Sequence, residues 1–214
     1  MQYRPEELLF KLKEKDFDTF MHCMRVGQEM KEFGEYMGFP KDYVNRLYIA
    51  GVLHDVGKLA IPDEILNKPG KLTDKEFHVI QSHPTKGVAL LKGYHPVIKN
   101  VAVGHHLSYT GQRGYPSNNI SGQQIPYEAR IAGVCDVYDA LSSKRAYKEP
   151  IPQAKVFEML KSDEKLDHSI VKEFIQFKKE QTRTQEKSEQ TSEKQQQMVR
   201  KPQPQRQMCC GMER

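Results

Sequence analysis

From Pro5 to about Lys179 the apolar residues recur mostly at helical spacing, with few of the alternating β-branched runs that announce a sheet. The pattern predicts an all-α fold. Helices are expected over Pro5 to Lys15, Phe17 to Met37, Lys41 to Val56, Asp74 to Lys92, His95 to His106, Pro126 to Ser142, Gln153 to Lys161 and His168 to Lys179. Gly38 and Pro40 stop one helix, and Thr73 three residues before Glu76 has the form of a capping box that starts another. Between His106 and Ile125 the periodicity gives way to Gly111, Gly114, Pro116, Ser117, Asn118, Asn119, Ser121 and Gly122, a loop long enough to serve as a binding element. After about Glu180 the chain is Gln, Lys, Glu, Ser, Thr and Arg with almost nothing to bury. One domain over residues 1–179 and a disordered polar tail over 180–214 are therefore expected.

Composition changes this picture little. A length of 214 residues with 37% hydrophobic content suits one core, and a net charge of +5 suits an anionic ligand without demanding one. No apolar run is long enough to cross a bilayer and no secretory signal opens the chain, so a cytoplasmic protein without a membrane span is expected. Cys23, Cys135, Cys209 and Cys210 form neither a disulfide framework nor a CxxC metal motif, and Cys209-Cys210 does not fit a prenylation box.

The chemistry concentrates in histidines and aspartates. His54-Asp55 closes an apolar helix that runs Leu47, Tyr48, Ile49, Ala50, Gly51, Val52, Leu53. An adjacent imidazole and carboxylate can hold one metal together, and the second carboxylate oxygen can bridge to another. His22, His83, His105-His106 and Asp136 all lie on predicted helices or at their ends, and Asp18 shares a helix face with His22. His78, His95 and His168 belong to no such pattern. Cys23 and Cys135 sit beside candidate ligands, but neighbouring helix positions diverge, so both are expected to be buried as small apolar residues. Imidazole and oxygen donors suit iron, manganese or zinc, and two ions sharing a carboxylate suit phosphodiester hydrolysis. Lys58, a turn beyond Asp55, is placed to meet a phosphate oxygen.

These residues resemble the HD-GYP family. The resemblance rests on His54-Asp55 with Lys58, the run from Pro62 to Thr73, His83-Pro84 with Gly87, His105-His106, Gly114-Tyr115-Pro116, Ile125 to Ile131, and Asp136 to Lys148, and it spans roughly Asp18 to Glu180. It implies an HD-domain-like helical bundle with an extra loop carrying Gly-Tyr-Pro. It also implies a centre of two or three divalent ions, commonly iron or manganese, that hydrolyses cyclic di-GMP to pGpG and in some members on to GMP. Carried over by position, His22, His54, Asp55, His83, His105, His106 and Asp136 are the metal ligands, with Asp55 as the bridge, and Asp55 and Lys58 are the catalytic residues. Lys58, Gly114, Tyr115, Arg145 and Lys148 become the substrate contacts, and Asp139 a supporting carboxylate rather than a ligand.

Four features depart from the family. Leu107 replaces the usual glutamate after the histidine pair. Thr110 replaces the usual aspartate, and Gln112-Arg113 adds one residue ahead of Gly114, changes expected to affect substrate affinity more than metal binding. Asp18 stands where members with a third ion carry glutamate, and its shorter reach makes two ions the expectation. Two other readings compete: a signalling module that binds cyclic di-GMP or a protein partner without turning it over, and an HD phosphohydrolase for another nucleotide. No nucleic-acid polymer is expected as partner. With about twenty residues before the core, regulation is expected from a partner protein, metal supply or redox state.

Overall fold

In a computed structural model of the chain, the described residues are 3–117, 119–143 and 150–199, with side chains described to Ser188. They form ten α-helices and no strand: α1 Pro5–Lys15, α2 Phe17–Tyr36, α3 Lys41–Leu53, α4 Asp63–Leu66, α5 Asp74–Ile80, α6 His83–Leu90, α7 Pro96–Gly104, α8 Tyr127–Ser142, α9 Gln153–Ser162 and α10 His168–Val199. Short 3-10 turns cover Val56–Ala60 and Gly122–Gln124.

The chain through Ile175 forms one compact unit. Its core is the apolar stripe of each long helix: Val26, Met30 and Phe33 on α2, Val44, Leu47 and Ala50 on α3, Val97 and Val101 on α7, Ile131 and Val134 on α8, all buried. Burying side chains of this kind contributes about 1.5–3 kcal/mol each. Phe33 meets Phe174 edge to face, with centroids 5.3 Å apart, and so ties the start of α10 to α2.

Helices α2 and α3 approach backbone to backbone. A Cβ on Gly51 would fall 2.6 Å from Gly27 Cα, and one on Gly27 would fall 2.4 Å from Val52 Cγ1. Only glycine permits this contact, and it brings the end of α3 against the middle of α2.

Several expected helices end differently. The predicted Asp74 to Lys92 helix is two helices broken at Gln81-Ser82, and Pro84, which lacks an N–H, sits in the first turn of the second, where none is needed. The predicted Lys41 to Val56 helix stops at Leu53, and His54-Asp55 turns into the 3-10 segment. The Thr73–Glu76 capping box is present, with Thr73 Oγ1 accepting from Glu76 N. Beyond Ile175, Gln176 begins a second unit that continues α10. The helix runs to Val199, past the Lys179 limit read from the sequence, because Gln, Lys and Glu are good helix formers even without a face to bury. Residues 183–188 are exposed, and residues 200–214, with Cys209 and Cys210, lie outside the described residues.

Candidate metal centre

Three histidines stand at helix ends and are fixed in one way. Nδ1 of His54, at the end of α3, lies 2.7 Å from the Gly51 carbonyl. Nδ1 of His83, which opens α6 after the break, lies 2.8 Å from the Ile80 carbonyl. Nδ1 of His105, at the end of α7, lies 2.9 Å from the Val101 carbonyl. A carbonyl only accepts, so each Nδ1 carries the proton and each Nε2 presents a lone pair. His22, inside α2, is held by a side chain instead, with Nδ1 2.7 Å from Asp139 Oδ2. Asp139 is itself fixed by Arg25, whose Nε donates to Oδ1 at 2.6 Å, and by Ser143 Oγ, which donates to Oδ1 at 2.7 Å.

The carboxylate of Asp55 stands between these rings. Its Oδ1 is 3.0 Å from His83 Nε2 and 3.8 Å from His105 Nε2. Its Oδ2 is 3.4 Å from His54 Nε2 and 4.0 Å from His22 Nε2. Asp136, on α8, closes the other side, 3.0 Å from His22 Nε2 and 3.8 Å from His106 Nδ1. The donors thus fall into two groups, Asp55 with His83, His105 and His106, and His22 with His54 and Asp136, each drawn within 4.8 Å. One oxygen of Asp55 faces each group.

This arrangement fits divalent cations. His83 Nε2 and His105 Nε2 are 3.3 Å apart with their protons committed elsewhere, so two lone pairs face each other beside a carboxylate oxygen. His54 Nε2 and Asp55 Oδ1 are buried without a hydrogen-bond partner. Protonation does not relieve the crowding at His105 and His106, because burial pushes both rings down, His106 to about 4. Burial also opposes charge on Asp55 and Asp136, yet Lys58 beside Asp55 and the His22 hydrogen bond to Asp136 outweigh it, and both carboxyls are held well below their usual range. Buried imidazoles and ionised carboxylates, with His105 and His106 held neutral and with lone pairs of His83 and His105 facing each other, make a cation site.

Other expected residues lie around it. Lys58 Nζ donates to Asp55 Oδ2 at 2.6 Å. A cavity of about 440 Å³ opens above the cluster between Asp18, Arg25, Lys58, His83, Tyr115 and Asp136. Asp18 is exposed on this rim and belongs to neither donor group. Cys23 is buried as expected, but its sulfur also lies within 4.8 Å of donor atoms of His54 and Asp55, an approach that the Gly27–Gly51 contact creates. Arg25 is a site residue that the sequence reading passed over; its spacing from His22, three residues along one helix face, was the available signal. Arg145 and Lys148 lie outside the described residues. Of the excluded histidines, His95 serves as a helix cap, with Nδ1 accepting from Val97 N.

The Gly-Tyr-Pro segment folds back on the cluster. Tyr115 N donates to the His106 carbonyl at 3.1 Å, and the tyrosine ring lies 4.4 Å from that of His106. A Cβ on Gly114 would fall 2.4 Å from Ser108 N, so only glycine allows the return. The lengthened turn is closed by Gly111 and Arg113 in the left-handed region, and Thr110 spends its hydroxyl on Ser108.

The family model described as HD domain matches residues 7–170. The chain belongs to the HD domain family. This HD domain is 42% identical over 144 residues to a Pseudomonas aeruginosa protein named cyclic di-GMP phosphodiesterase, covering 66% of this chain and 34% of that one. It is 35% identical over 195 residues to a Thermotoga maritima protein of the same name, covering 87% of this chain and 52% of that one. The chain therefore spans about a third to a half of the length of these curated relatives. Among solved structures, the L. monocytogenes phosphodiesterase PgpH HD domain shares the fold, with a TM-score of 0.59, 18% identity, and coverage of 79% of this chain and 94% of that one. Among the described residues of this HD domain, no helix is long and apolar enough to cross a membrane.

Proposed function

We propose that this HD domain is a metal-dependent phosphodiesterase that hydrolyses cyclic di-GMP to pGpG, with iron or manganese in a two-ion centre. The observation that carries the reading is the division of the donors about Asp55, whose two oxygens face separate groups of imidazoles. His83, His105 and His106 would hold one ion and His22, His54 and Asp136 the other, with Asp55 placed between the two groups. When bound, such a pair supplies an activated water and positive charge for phosphodiester hydrolysis.

The chain's own residues do the rest. The backbone carbonyls of Gly51, Ile80 and Val101 keep the Nε2 atoms aimed at the centre. Burial opposes charge on Lys58, but Asp55 outweighs it and keeps the ammonium protonated. Lys58 both orients the bridging carboxylate and offers a positive charge to a non-bridging phosphate oxygen at the cavity floor. Tyr115 presents a ring face on which a guanine stacks, and Gly114 sets its position. Arg145 and Lys148 complete the contacts to phosphate and base by their place in the motif. The names of the relatives support guanine as the base. Cytoplasmic action on a soluble nucleotide accords with this reading.

The test is a panel of cyclic di-GMP, a mixed guanine–adenine cyclic dinucleotide and cyclic di-AMP incubated with iron- or manganese-loaded protein, with products resolved by chromatography. Cyclic di-GMP is expected to be linearised fastest, and His54→Ala and Asp55→Ala to abolish turnover. Binding without turnover sensitive to these variants contradicts the enzyme reading, and equal or faster turnover of a non-guanine substrate contradicts the substrate.

A further inference from the structure

The imidazole and carboxylate donors do not exhaust the cluster. Cys23 Sγ, a ring nitrogen of His54 and a carboxylate oxygen of Asp55 all lie within 4.8 Å of one another, and all three residues are buried. His54 is 1% exposed and its Nε2 has no hydrogen-bond partner, so the nitrogen beside the sulfur is an open donor position rather than a satisfied one. A thiol that only fills space is surrounded by carbon. This one stands beside a buried imidazole nitrogen and a buried carboxylate oxygen, and His54 Nε2 and Asp55 Oδ1 both lack a hydrogen-bond partner.

The approach is built into the packing. Cys23 lies one helical turn before Gly27 on α2, and His54 lies just beyond Gly51 on α3. Those two glycines touch, so α2 and α3 lie backbone to backbone one turn from Cys23. Cys135 provides an internal comparison: it is equally buried and sits beside Asp136, yet it belongs to none of the donor groups among the described residues.

Resting on the reading that this cluster holds divalent ions, we propose that Cys23 supplies a sulfur donor to the ion shared by His54 and Asp55, and so tilts that position towards thiophilic ions, zinc and iron(II) over manganese. Sulfur is the soft member of an otherwise hard and intermediate donor set, and softness decides among ions of equal charge. The sulfur–metal bond forms as the thiol proton leaves to solvent, with no change in oxidation state.

Cobalt(II) titration of the full chain tests this without reference to turnover. Cobalt bound to imidazole and oxygen gives visible d–d bands, whereas a sulfur ligand adds an intense near-ultraviolet charge-transfer band. The wild type is expected to show both. Cys23→Ser and Cys23→Ala are expected to lose the charge-transfer band, keep the visible bands, and prefer zinc over manganese less strongly in competition. Cys135→Ser and a Cys209→Ser/Cys210→Ser double variant are expected to keep the band. Visible bands without the near-ultraviolet band in the wild type, or a band that survives in both Cys23 variants, overturns the sulfur ligand and leaves the metal centre standing. Failure of the wild type to bind cobalt at all overturns the metal centre and this inference with it.

Discussion

His22 Nδ1 lies 2.7 Å from Asp139 Oδ2, and that single contact makes the α2 histidine present its Nε2 towards Asp136 and Asp55. The other three fixed histidines use backbone carbonyls, which substitution does not remove. His22 depends on a carboxylate that Arg25 and Ser143 hold in turn. Asp139→Ala is expected to lower affinity for the ion at His22 and His54 by roughly 10–100-fold. Calorimetric or competitive metal titration checks this, and unchanged affinity in a folded variant contradicts it.

Gly57 follows the His54-Asp55 turn, and a Cβ there would fall 1.9 Å from the His83 carbonyl oxygen and 2.6 Å from Gly87 N. The obstruction is backbone, so it cannot swing aside. Gly57→Ala is expected to displace the start of α6, destabilise the fold by about 1–3 kcal/mol or more, and weaken metal binding through His83. Denaturant melts with and without added manganese measure both effects; a neutral substitution contradicts the packing argument.

Lys58 Nζ donates to Asp55 Oδ2 and belongs to none of the donor groups. Lys58→Met is expected to leave metal stoichiometry intact while lowering kcat roughly 10²-fold, a loss of the size seen when one charge-stabilising donor is removed. Metal analysis beside steady-state kinetics separates the two, and loss of metal without a specific kcat defect contradicts the assignment.

In the metal-free protein, stability is expected to fall as pH drops from about 6.5 towards about 4. Burial holds His105 below its ordinary 6.5 and His106 down to about 4, so over this window the unfolded chain takes up protons that the folded chain refuses. Asp55 and Asp136 do not oppose the slope, since carboxyls with depressed values keep their full contribution above their unfolded value of 3.8. His54, whose value is raised, has its contribution fully present below 6.5. Thermal melts of chelator-treated protein across this range check the slope, and His106→Gln is expected to flatten it.

Much of this site was legible before any coordinates. His54-Asp55 announced itself as a dipeptide at the end of an apolar run, and the periodicity carried the long helices. What the sequence concealed was contact between segments. Apolar spacing continues across Gln81-Ser82, so the break that makes His83 the first residue of α6 showed only in Pro84, which a first turn and a kinked helix tolerate alike. Asp139 was readable as a supporting carboxylate, but its partner Arg25 lies far away in sequence, and only the packing of α2 against α8 joins them. Cys23 was hidden for a similar reason: adjacent helix positions diverge in general, and the exception depends on two glycines from different helices touching.

The most direct test of the two-ion account is elemental analysis of protein saturated with iron or manganese under anaerobic conditions, compared with Asp55→Ala. Asp55 offers one oxygen to each donor group, so the account predicts two divalent ions per chain in the wild type and less than one in the variant. A single ion or none in the saturated wild type, or two ions retained without Asp55, would contradict it.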